Sequence, residues 1–146
     1  MKKQGIACYL NILAAVLGLA GVILTAVSSS MSRDNALLGL PMLLAAGIAG
    51  VLLACLAVYA PNRWGNHNFV SAISVVAAIP LYTYVFGACL SQRIMMIAGL
   101  FSYNSGNTVG WSIFYVCIAA WVCLLVGILF LIVGSFLKSV QEPEAA

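Results

Sequence analysis

Charged side chains are nearly absent from this sequence. Only 6% of its 146 residues are Asp, Glu, Lys or Arg, whereas a soluble domain carries about 25%. Hydrophobic residues make up 64% of the chain. So few charges exclude an ordinary soluble domain, and the sequence predicts an integral membrane protein with one domain, 1–146, in the bilayer.

Acidic residues are the scarcest of all. Three occur, Asp34 in a predicted loop and Glu142 and Glu144 in the tail, and no predicted span contains an ionisable Asp, Glu, His, Lys or Arg. Ionisable groups inside a membrane mark proton relays and ion-coupling sites, and acid–base or metal chemistry needs carboxylates or histidines. The sequence therefore predicts a protein that is not an enzyme on its own and holds no cofactor or metal.

Clustered donors and clustered basic residues are also lacking. The six Lys and Arg residues are scattered, so no patch suits nucleic acid or an anionic lipid surface. The single histidine, His67, stands in a predicted polar loop, and a metal site needs three or four donors. The five cysteines form no CxxC pair and are expected to be small buried apolar residues.

Long apolar runs are what the sequence does contain. Four of them are long enough to cross a bilayer as helices, for which about 20 residues suffice. They cover 6–28, 37–60, 69–90 and 111–137. Pro41 falls in the first turn of the second run, and Pro61 is expected to end it. The predicted fold is all-α: an integral membrane four-helix bundle.

Small and polar residues form a stripe along the first span. Their steps alternate between three and four residues, so they share one helical face. In lipid, close backbone packing over small residues supplies much of the attraction between helices. We therefore expect the other spans to pack against this small-residue stripe, which comprises Asn11, Ala14, Gly18, Gly21, Thr25 and Ser28.

The third span combines hydroxyl groups with a proline near its middle. Pro80 cannot donate to the carbonyl four residues earlier, so a kink is expected there. Two interpretations stay open: a functional cavity, or a structural kink satisfied by Thr83 or a neighbouring helix. Ser71 and Ser74 should lie at the depth of Asn11, and we expect the Asn11 amide to reach one of them or a carbonyl of the third or fourth span.

The connection between the third and fourth spans is apolar in its first half. Residues 93–101 should either continue the third helix or lie in the membrane interface as a short helix. Arg63, Trp64, Arg93 and Trp111 are expected at the membrane–water interfaces. The tail from Lys138 onward is expected to be disordered.

The distribution of basic residues predicts the orientation. With the N-terminus inside, the inner side holds four basic residues and the outer side two, so both termini are expected in the cytoplasm. The inner four are Lys2, Lys3, Arg63 and Lys138, and the outer two are Arg33 and Arg93.

Three short segments carry a resemblance along most of the chain. They are Lys2-Lys3 before the first span, Ser91-Gln92-Arg93-Ile94 after the third, and Gly134-Ser135-Phe136 at the end of the fourth. In these features the chain resembles uncharacterised small four-span membrane proteins of Gram-positive bacteria. The resemblance implies four helices in a bacterial plasma membrane and carries over no functional residue.

Three functions follow from these patterns. The leading hypothesis is an accessory subunit that packs against a larger membrane partner or against itself, because the first, second and fourth spans each have a Gly/Ala face. The alternative is a passive small-molecule or ion transporter or channel, with Pro80 to Tyr84 along the path. The third, ranked lowest, is a membrane enzyme or lipid-handling protein that uses Tyr82, Tyr84 or the outer loop.

Overall fold

A computed structural model describes residues 3–64, 69–138 and 140–141 of the chain. It contains four long helices, each apolar enough to cross a membrane. These are α1 (Ile6–Ser30), α2 (Leu40–Trp64), α3 (Phe69–Ser102) and α4 (Thr108–Ser135). The prediction of an all-α membrane bundle of four helices is confirmed at this level.

The helices pack as a four-membered ring of neighbours. α1 packs most extensively on α4 and also on α2, and α3 packs on α2 and α4. α1 and α3 stand diagonally across the bundle, and their backbones come close at few positions. At one end, β1 (Lys3–Gln4) pairs antiparallel with β2 (Val140–Gln141). The prediction of a disordered tail is therefore wrong for Val140 and Gln141. We call this end of the bundle the terminal end, and the end with the 31–39 and 103–107 connections the far end.

The second helix runs past Pro61, so the prediction that this proline ends it is wrong. Pro61 is buried and lies inside α2, which continues to Trp64. Proline has no N–H to donate to the carbonyl four residues earlier, which is that of Ala57. The Ser71 hydroxyl of α3 donates to this carbonyl at 3.2 Å. A hydrogen bond from the neighbouring helix thus replaces the one that proline removes.

α2 also begins at Leu40 rather than at residue 37. It follows Gly39, whose φ of 67° is a left-handed conformation that glycine adopts readily.

The third helix continues 12 residues beyond its predicted end at 90 and stops at Ser102. Of the two structures expected for residues 93–101, the helical continuation is the one observed. The turn that follows closes with backbone bonds from Tyr103 and Asn104 to the Gly99 carbonyl. α4 then starts at Thr108, where the Asn107 side chain accepts a hydrogen bond from the Gly110 N–H at 3.0 Å. The kink at Pro80, inside α3, stays a prediction.

Tyr82 is the largest side chain fully enclosed in the bundle, with 0% of its surface exposed. Its ring lies between Gly18 of α1 and Gly50 of α2, where an added Cβ would collide with it. Its hydroxyl donates to the Ala14 carbonyl across a long 3.4 Å. The two glycines therefore make room for one aromatic ring on the helix diagonally opposite α1.

The small residues of α1, α2 and α4 pack inside the bundle. All six residues of the small-residue stripe are buried. A Cβ built on Gly21 would lie 2.7 Å from Cγ of Leu124, and one on Gly47 would collide with Val22. The Gly/Ala faces that suggested a surplus docking surface are therefore used for internal contacts. Predictions about His67, Glu142 and Glu144 fall outside the described residues.

Candidate functional site

Arg93 is buried at the far end of the bundle. Only 2% of its surface is exposed, because α3 continues through this position instead of ending at 90. One prediction is corrected here: the membrane helices are not free of charged residues, since Arg93 lies buried within α3. Its position at the membrane–water interface stays a prediction. An ionisable side chain inside a membrane bundle is a candidate functional residue by default.

The Arg93 guanidinium has hydrogen-bond acceptors but no counter-ion within the described part of the chain. Its Nη2 donates to the Ser28 carbonyl at 3.0 Å, and its Nη1 lies 4.0 Å from the Met96 sulfur. Its Nε has no partner. Since a buried charge is costly unless it is paired, Arg93 is a candidate anion-binding residue.

Two thiols lie next to the Arg93 guanidinium. Cys89 precedes Arg93 by one helical turn, and Cys117 of α4 lies beside both Cys89 and Arg93. Both thiols are free and buried. The Ser28 hydroxyl, which donates to the Thr25 carbonyl at 2.8 Å, is also next to Cys117. These groups replace part of the hydration shell of the arginine.

The 31–39 connection is folded down over this end of the bundle. The Gln92 side chain binds both backbone groups of Leu38: its Oε1 accepts from the N–H at 2.7 Å and its Nε2 donates to the carbonyl at 3.2 Å. The Leu37 N–H donates to the Ser29 hydroxyl at 2.9 Å, and the Leu37 side chain is buried. The connection is therefore fixed to both α1 and α3.

An open pocket of about 240 Å³ lies between this connection and α3. It is lined by residues 34–38, Gln92 and Arg93. Asp34 in its wall is exposed. The pocket thus brings together one cationic and one anionic side chain that do not pair with each other.

Aromatic rings surround the neighbouring corner of the far end. Trp111 packs edge-on against Phe101, with ring centroids 5.1 Å apart, and Phe114 and Tyr115 extend the cluster. The Trp111 indole N–H donates to the Ser105 carbonyl at 2.9 Å. Such a group of amphipathic rings is typical of the membrane–water interface.

The depth of Arg93 follows from helix lengths. Ser28, whose carbonyl holds Arg93, lies 22 residues after the start of α1, which is about 33 Å at 1.5 Å per residue. The hydrocarbon core of a bilayer is about 30 Å thick. If α1 begins at the opposite boundary of the hydrocarbon core, this length predicts that Arg93 lies at the boundary between hydrocarbon and headgroups.

Asn11 lies inside the bundle but makes none of the expected side-chain bonds. It is 2% exposed and its Oδ1 has no partner; a Cβ on Gly134 would lie 2.8 Å from that oxygen. Ser71 donates instead to the Ala57 carbonyl and Ser74 to the Val70 carbonyl of its own helix. The serines are out of reach because α3 stands diagonally opposite α1. Asn11 does lie beside Gly134 of α4, but it makes no hydrogen bond to a carbonyl of α4 among the described residues.

Pro80 and Thr83 lie on the outward face of α3 and not in a cavity. Both are exposed, and the Thr83 hydroxyl donates to the Ile79 carbonyl at 2.8 Å. Gly87, one turn further, is exposed, and a Cβ added there would have no neighbour within 4 Å. We call Pro80, Thr83 and Gly87 the notched face of α3.

The burial of Arg93 was missed because the charge itself was taken to end the span. A signal was present in the spacing of the buried residues of α3. These recur in steps of three and four and reach Arg93 on the same face: Ser74, Ala78, Tyr82, Val85, Cys89 and Arg93.

Compared with known proteins, the chain matches no family model, no curated protein and no solved structure. The class that the fold supports is that of a small multi-pass membrane protein with four apolar helices. The resemblance to small membrane proteins of Gram-positive bacteria stays a prediction.

Proposed function

We propose that the protein is an accessory subunit of a bacterial plasma membrane, without catalytic activity of its own and with both termini in the cytoplasm. It packs through the notched face of α3 against a larger membrane partner or against a second copy. The observation that carries this proposal is the open space at Gly87 on an exposed helix face. At Gly18, Gly21 and Gly50, the space beside the glycine is already occupied by side chains inside the bundle.

Two properties make the notched face suitable for another helix. Glycine and threonine let a second backbone approach closely, which is how helices associate in lipid. Pro80 also leaves the carbonyl of Val76 without its usual helical donor, and Val76 is 71% exposed. A hydroxyl or amide of a neighbouring helix can donate to that carbonyl, whereas a lipid tail cannot.

The outward faces of α1 and α4 differ in chemistry from the notched face. On α1 this face carries Tyr9, Val16 and Ile23, and on α4 it carries Val122 and Leu129, all of them more than half exposed. Such large apolar side chains suit contact with lipid. The contrast favours α3 as the helix that a partner contacts.

The channel alternative gains no support from the interior of one bundle. Tyr82 fills the space between α1 and α2, and Tyr84, on the proposed path, is 44% exposed on the outside. A path for a solute would therefore have to run between copies of the chain. We rank this alternative, and the enzyme alternative, below the accessory role.

Photocrosslinking in native membranes tests the accessory role. A photoreactive residue at Thr83 should give a discrete adduct with a partner or a second copy, and the same residue at Leu129 on α4 should give none. Adding Gly87→Leu should abolish the Thr83 adduct, because the new side chain occupies the open space at that position. Ala119→Leu on the exposed face of α4 is the matched control and should leave the adduct unchanged.

The same crosslinking experiment can contradict this proposal. Equal adducts at Thr83 and Leu129, or no adduct at either, would contradict docking through α3. The melting temperature of Gly87→Leu in mild detergent should equal that of the wild type, which shows that the lost adduct does not come from unfolding.

A further inference from the structure

We propose that the far-end pocket binds the zwitterionic headgroup of phosphatidylethanolamine, with the phosphate at Arg93 and the ammonium at Asp34. This inference goes beyond the accessory role and does not depend on it, since it concerns the far end and not the notched face.

The anionic half of the ligand is argued from Arg93. Arg93 is 2% exposed and has no ion-pair partner among the described residues. Its Nε–H is enclosed and has no acceptor there, so the side chain has to turn toward the pocket for a phosphate oxygen to reach it. Arginine binds phosphate oxygens through charge-assisted hydrogen bonds, which are about twice as strong as neutral ones. One hydrogen bond to the Ser28 carbonyl and a contact with Met96 hold the side chain beside the pocket when no ligand is bound.

The cationic half is argued from Asp34. Its carboxylate is exposed in the wall of the same pocket and forms no ion pair within the described residues. A purely anionic headgroup would be repelled by this carboxylate, whereas a primary ammonium can donate to it. The pocket therefore favours a headgroup that carries both charges.

The depth of the pocket selects a lipid over a molecule from the water phase. Arg93 is predicted to lie at the boundary between hydrocarbon and headgroups, where lipid phosphates are the most concentrated anions. The pocket is open, about 240 Å³ in volume, and rests against the 31–39 connection that Gln92 fixes to α3.

The test is protection against thermal unfolding in mild detergent by added lipid. For the wild type, phosphatidylethanolamine should protect at a concentration about tenfold lower than phosphatidylglycerol, the ratio that one charge-assisted hydrogen bond supplies. Asp34→Asn should remove this preference while it retains protection by phosphatidylglycerol. Arg93→Gln should weaken protection by both lipids about tenfold.

Two further samples keep the test decisive. Arg33→Gln removes the adjacent, exposed arginine and should behave as the wild type. If Arg93→Gln does not fold, the loss of lipid preference in Asp34→Asn, an exposed position, decides alone. Free phosphoethanolamine serves as the soluble probe and should protect only weakly, because it lacks the acyl chains that anchor the headgroup.

Several outcomes would overturn the proposal. One is equal protection of the wild type by the two lipids. Another is an Asp34→Asn variant that keeps the preference, and a third is undiminished protection of a folded Arg93→Gln. Protection by phosphoethanolamine at the same concentration as the lipid would overturn the assignment to a membrane lipid.

Discussion

At the scale of single residues, the bundle depends on how one aromatic ring fits between glycines. Tyr82 is fully buried, and its ring occupies the space that a side chain at Gly18 or Gly50 would need. In a membrane, where apolar burial adds little to helix association, such close packing supplies much of the stability. Tyr82 should therefore matter more through its volume than through its long hydrogen bond to Ala14.

Replacing Tyr82 tests this point. Tyr82→Ala should lower the free energy of unfolding by about 3–5 kcal/mol because it leaves a cavity. Tyr82→Phe should cost at most about 1 kcal/mol, since the lost hydrogen bond spans 3.4 Å. Thermal or denaturant unfolding in mild detergent measures both. A larger loss from Tyr82→Phe than from Tyr82→Ala would show that the hydroxyl, and not the ring, is what the bundle requires.

A double-mutant cycle tests the contact with Gly18. Gly18→Ala should destabilise the bundle by about 1–3 kcal/mol through overpacking, and Tyr82→Phe in the same chain should restore part of this loss. Gly87→Ala is the control in open space and should cost nothing. If the effects of Gly18→Ala and Tyr82→Phe simply add, the Tyr82 hydroxyl does not compete with a side chain at position 18.

At the scale of elements, the 31–39 connection is held by side chains of the helices that it joins and covers. Gln92 binds both backbone groups of Leu38. Gln92→Ala should therefore speed hydrogen–deuterium exchange of the Leu38 amide by about tenfold, as expected for the loss of about 1.4 kcal/mol of hydrogen bonding. Gln92→Glu keeps the acceptor and should show a smaller increase. Unchanged exchange in Gln92→Ala would mean that Ser29 alone holds the connection.

The helices themselves were largely predictable from the sequence, because apolar runs of membrane length have few other structures available. Their ends were less predictable, since these depend on contacts between helices. The Ser71 hydroxyl donates to the carbonyl that Pro61 leaves without a donor. The Ser28 carbonyl of α1 accepts a hydrogen bond from Arg93 of α3. No pattern within α2 or α3 alone contains that information.

The candidate site was predictable only in part, for the same reason. Asn11 was expected inside the bundle and is buried, but its neighbour is α4 and not the serines of α3. The choice of neighbour is fixed by the order of helices around the bundle, which hydropathy does not encode. The Arg93 pocket further requires the 31–39 connection to fold back over α3.

At the scale of the whole molecule, burial of Arg93 strengthens the predicted orientation. The positive-inside rule counts basic residues in the loops near the membrane. With Arg93 inside the bundle, Arg33 is the one basic residue in the far-end connections. The terminal-end segments have four in the sequence, namely Lys2, Lys3, Arg63 and Lys138. The far end, with its pocket, should therefore face outward and the terminal end the cytoplasm.

Cysteine labelling in intact cells tests the central claim most directly: a four-span bundle that presents the Arg93 pocket outward. Asn104→Cys at the far end should react with a membrane-impermeant maleimide in intact cells, and Asn62→Cys near the end of α2 only after permeabilisation. The wild type, whose five thiols all lie in helices, supplies the background. Labelling of Asn62→Cys but not Asn104→Cys in intact cells, or labelling of both, would contradict the account.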